Sequence, residues 1–155
     1  MINQTEPILD FEALVPTHET CERLGKADFP QCVAWTYVDR GRGFDLRLRE
    51  SLRGQTFDVS DRLLPAPTAA ELGAALPDWL DLDYAGRHFR FWLQFETEGW
   101  PKWGAFYVGL DKKSGPKAFF RHLELQAEAY TEAEARALLW LRLESEGLLP
   151  NAEEG

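Results

Sequence analysis

Cysteine is scarce in this chain, and the motifs it lacks exclude several classes of protein. Two thiols, Cys21 and Cys32, do not make a disulfide framework, so burial must hold the fold. No apolar run approaches the roughly 18 residues of a membrane-spanning helix. The opening residues Asn3, Gln4, Thr5 and Glu6 supply neither a basic nor an apolar segment, so no signal peptide is expected. Asn3-Gln4-Thr5 would be a glycosylation acceptor only in a secreted protein. Gly41 and Gly43 flank an arginine and precede no Lys-Ser pair, so there is no P-loop. No Gly-x-Ser-x-Gly elbow is present, and no glycine fingerprint of a dinucleotide fold. The expectation is a cytoplasmic protein with reduced thiols, no membrane association and no cofactor.

Aromatic residues are plentiful: six Trp, ten Phe and four Tyr. They either fill a core between sheet and helices or supply a binding face. With 155 residues the chain is expected to be one domain, 1–155, ending in a frayed acidic tail at 151–155. The net charge of −9 opposes generic nucleic-acid binding.

Thr17 is placed to cap a helix running to about Leu24 and closed by Gly25. Residues 32–38 are rich in β-branched and aromatic types and read as a strand. A turn at Asp39–Gly43 folds it back on Phe44, Leu46 and Leu48, which alternate with Asp45, Arg47 and Arg49. A short strand is expected at Thr56–Val59 in the connection that follows. Thr68 and Glu71 form a capping box for a second helix, stopped by Pro77. Leu80, Leu82 and Tyr84 then alternate with Asp81 and Asp83.

The clearest strand places Phe89, Phe91, Leu93 and Phe95 on one face and Arg90, Trp92, Gln94 and Glu96 on the other. Turns at Glu98–Pro101 and Asp111–Pro116 bound a strand at Trp103–Leu110, and a last strand is expected at 117–128. Thr131 and Glu134 form a second capping box. The helix it opens reaches about Glu146, with Gly147 and Leu148 closing it. Apolar residues spread around much of this helix, which therefore has to be deeply buried or touch two surfaces. The fold class is α+β: an antiparallel sheet, hairpin plus meander, with about three helices packed mainly on one face.

No chemical motif stands out. His18, Cys21 and Cys32 lack a fourth metal ligand in sequence, and Asp81-x-Asp83 lacks acidic neighbours, so no metal site is expected. Cys21 or Cys32 with a distant histidine leaves a thiol enzyme as the least favoured reading. Two features remain. Arg40 to Arg53 holds five arginines against Asp45 and Glu50, whereas Glu124 to Gly155 holds eight glutamates against Arg136 and Arg142. These segments either pair internally or are simply solvated, or they form a recognition patch for an acidic partner or for self-association of unlike faces, with Arg47 and Arg49 as candidates. The second is the tryptophan cluster Trp92, Trp100 and Trp103 beside Arg90 and Lys102, which either suits a protein interface, a sugar or a base, or lies packed under a second helix layer covering the other sheet face.

Four pieces in this order resemble a loose family of small uncharacterised proteins found among phage and prophage genes. They are Thr20-Cys21-Glu22-Arg23-Leu24 with Phe29-Pro30-Gln31 and Ala34-Trp35; Ala66-Pro67-Thr68-Ala69-Ala70-Glu71-Leu72; the aromatic meander around Trp103; and Ala133-Glu134-Ala135-Arg136 leading to Leu139-Trp140-Leu141 and Glu146-Gly147-Leu148-Leu149. Relatives of this kind often have glycine where this chain has Asp28. The resemblance implies a setting and carries no activity. The expected function is therefore a non-enzymatic interaction or accessory protein of a mobile element or its host. Its partner would be another protein or a second copy of itself. A small-ligand or carbohydrate-binding domain is the alternative.

Overall fold

Thr17 does cap the first helix, α1 (His18–Lys26): its hydroxyl accepts from the Thr20 N–H. The computed structural model describes residues 11–30, 33–97, 102–111 and 118–150. The expectations for the opening residues, Cys32, the turns bearing Trp100 and Ser114, and the tail lie outside the described residues. Gly25 does not close α1, which continues to Lys26. The chain leaves through Asp28, whose φ of 56° is the left-handed conformation usually given to glycine. The Phe29 N–H then reaches back to the Leu24 carbonyl at 3.0 Å.

The hairpin forms as β1 (Trp35–Asp39) and β2 (Phe44–Leu48), with Gly41 and Gly43 at φ 94° and 96° in its turn. β1 starts later than composition suggests because the Ala34 N–H donates to Glu71 Oε2 at 3.1 Å instead of to a strand. The third strand of this sheet is β3 (Arg62–Ala66), on the other side of β1. No strand forms at Thr56–Val59: Asp58 and Asp61 bond each other into a turn, and Val59 is fully exposed. Pro65 hides β3 from sequence. It is tolerated because β3 is an edge strand, where a missing N–H breaks no ladder.

The Thr68–Glu71 capping box opens α2 (Ala69–Ala75) as expected. Next come β4 (Trp79–Tyr84), β5 (Arg87–Thr97), β6 (Trp103–Leu110) and β7 (Phe119–Ala129), an antiparallel meander in that spatial order. The α+β class stands, but the hairpin and the meander are separate sheets of three and four strands, with α2 between them in sequence.

The last helix, α3 (Glu132–Ser145), packs on β6 and β7 and also against α2 and α1. That double contact explains why Ala133, Ala137, Leu139, Trp140 and Leu143 are all buried. It ends with Gly147 at φ 69° and a 2.9 Å bond from the Leu148 N–H to the Leu143 carbonyl. Its start departs from expectation. Thr131 caps the Glu134 N–H, but the Glu134 carboxylate lies at the start of α1. Its Oε2 accepts from the Thr17 N–H at 2.9 Å, and its Oε1 accepts from the buried Thr20 hydroxyl. A carboxylate at a helix N-terminus satisfies orphan N–H groups and complements the dipole.

Two apolar cores result. The larger joins Leu24, Leu72, Phe91, Tyr107, Leu125 and α3. The smaller joins Val15, Cys21, Tyr37, Leu64 and Ala66. α1 divides them, with Leu24 in one and Cys21 in the other.

Candidate interaction face

Strand alternation decides which residues of the meander meet solvent. Phe89, Phe91, Leu93 and Phe95 point toward the helices, and Phe91 is fully buried. Trp92 points the other way and is 42% exposed. The three described helices lie on the inner side, so the outer face has no helical cover among the described residues. Trp79 pairs directly across from Trp92 on β4 and is 49% exposed. Val108 faces Trp92 from β6, and exposed Phe119 and Leu123 continue the face on β7. Trp92, Phe106, Val108, Leu110 and Phe119 line a shallow open depression.

Polar groups around it are organised in pairs. Arg90 donates to both Asp81 oxygens, at 3.0 and 3.1 Å, while its guanidinium lies 4.0 Å from the Trp79 ring centroid. These bonds hold the Asp81 carboxyl below its ordinary pKa and raise that of Arg90. Arg121 pairs with Glu96 and covers the Phe106 ring at 3.8 Å, which explains why Phe106 is buried on an open face. Asp83 meets His88 Nδ1 at 3.0 Å. Asp81 and Asp83 thus take separate partners.

Trp103, Arg47 and Arg49 do not join this face. Trp103 opposes Thr97 and Ala129 and packs partly buried against the larger core, on the inner side. Trp100 is outside the described residues. Arg47 and Arg49 belong to the other sheet region: Arg47 pairs weakly with Asp45, and the Arg49 N–H bonds the Ala34 carbonyl. The basic and acidic segments both form local pairs, Arg53 with Glu50, Arg136 with Glu132 and Arg142 with Glu146.

Cys21 is fully buried, its Sγ 3.6 Å from the Pro16 carbonyl. Burial and the nearby Glu134 carboxylate push its thiol up to about 12, so it stays protonated and makes a poor nucleophile. His18 stacks on Phe44 at 5.1 Å between centroids.

Sequence reasoning missed Trp79, Phe119 and Leu123. Trp79 was within reach: one step back along the Asp81/Asp83 alternation places it on the outer face. No family model, curated protein or solved structure matches the chain.

Proposed function

We propose that the protein is a non-enzymatic interaction module that binds another protein through the outer face of β4–β7, centred on Trp92. The observation that carries this reading is the cross-strand pair of exposed tryptophans, Trp79 and Trp92, beside an apolar depression with no described helix over it. Contiguous exposed apolar surface of this kind marks contact sites, and Trp is enriched among residues that dominate binding energy. The paired charges Asp81–Arg90 and Glu96–Arg121 supply a polar rim. The sugar-binding alternative is weaker, because Arg90 already occupies one face of the Trp79 ring. The family resemblance supports an accessory role in a mobile element or its host.

A photo-crosslinking residue in place of Trp92 tests the reading in the native cell, with the same residue in place of Arg47 as control. The expected result is a discrete protein adduct from position 92 and none from 47. Trp92→Ala should then weaken binding of the purified partner about tenfold or more. Equal binding by wild type and Trp92→Ala would refute the proposal.

A further inference from the structure

The ladder between β6 and β7 breaks once. Val108 faces Arg121 and Phe106 faces Gln126, so two steps along β6 are matched by five along β7. Among the described residues β7 is an edge strand, with no further strand to support this bulge. Side chains meet its backbone groups instead. The Glu124 N–H donates to His122 Nδ1 at 3.2 Å, and the Glu124 carbonyl accepts from Arg142 Nε of α3 at 3.1 Å. A backbone N–H can only donate, so Nδ1 is the acceptor and the ring proton sits on Nε2.

The imidazole is buried, 8% exposed, with centroids 4.7 Å from Tyr84 and 5.2 Å from Phe91. Lost solvation there lowers its pKa, opposed by the Glu124 and Glu146 carboxylates.

We infer that His122 is a proton-operated latch on the β7 bulge: the neutral ring holds the Glu124 amide, and the protonated ring releases it. The incoming proton goes to Nδ1, because Nε2 already carries one. Nδ1 then becomes a donor facing another donor, and the hydrogen bond is lost. The groups around the ring are the Tyr84 phenol from β4, uncharged Phe91 from β5, Glu124 on β7, and Arg142 and Glu146 at the end of α3. On β6 the nearby inner-face phenol, Tyr107, is committed to the Pro77 carbonyl at 2.7 Å. The two carboxylates favour the imidazolium. Burial opposes it, and the Arg142 cation stands 4.0 Å from the Glu146 carboxylate.

The folded-state value lies below the ordinary one. The ring's contribution to stability is therefore complete above the ordinary histidine range and is lost as pH falls through the folded value. Leu123, 70% exposed, sits in the bulge, so release would also change the β7 side of the proposed contact face. The latch itself does not depend on that reading, because it is measured on the free protein.

Nitrogen-detected NMR titration of His122 is run beside amide hydrogen exchange of Glu124, on the full chain, from about pH 8 to about pH 5. The Glu124 protection factor, referenced to the unfolded amide at each pH, should fall about tenfold, the scale of one lost hydrogen bond. Its midpoint should match the His122 titration and lie below the ordinary histidine range. In His122→Gln, whose amide oxygen accepts without titrating, protection should not change with pH. Constant protection while His122 titrates, or the same fall in His122→Gln, would overturn the inference. If that variant fails to fold, agreement or disagreement of the two wild-type midpoints still decides.

Discussion

Phe91 and Trp92 are neighbours on β5 and share one backbone, yet they stand in opposite worlds. Phe91 is fully buried, edge-on to Tyr84 and Phe120, in the core beneath α3. Trp92 is the larger residue and lies on the open face, across from Trp79 and Val108. On a sheet covered from one side, position parity and not hydrophobicity decides whether an aromatic holds the fold or stays available to a partner.

Mutagenesis can sharpen that contrast. Phe91→Ala should show the largest effect, a loss of ~3–5 kcal/mol in denaturant unfolding, through the cavity it leaves among packed rings. Gly109→Ala probes the same inner face from β6. A Cβ there would come within 2.8 Å of Phe120 and 3.0 Å of Phe91. Overpacking of this kind should cost ~1–3 kcal/mol. Trp92→Ala should be the mildest, at most about 1 kcal/mol, the scale of one cross-strand aromatic pair lost with Trp79. A Trp92→Ala loss as large as that of Phe91→Ala would make both faces of β5 structural and remove Trp92 from the contact face.

Local signals in the sequence were legible where the physics is local. Strict alternation over Phe89–Glu96 gave the two faces of β5, and the exposure of Trp92 follows from Arg90, Gln94 and Glu96 sharing its side. Threonine caps located all three helix starts. What stayed hidden depends on distant partners. β3 carries a proline that only an edge position tolerates, and edge status is a property of the assembled sheet. The run Trp103–Leu110 is apolar on both faces, so no alternation reveals that Trp103 turns inward. The separation into two sheets reflects that no described strand before α2 pairs with one after it, which no local pattern encodes.

Glu134 ties this geometry to the order of synthesis. It serves the start of α1 from 117 residues further along the chain. A ribosome releases α1 long before the carboxylate that completes its N-terminus exists. The N-terminal end of α1 therefore gains this acceptor only when the last helix is made. Long-range closure of this kind slows folding and leaves early segments open to misassociation. Chains interrupted before residue 134 would carry an α1 without this acceptor at its N-terminus.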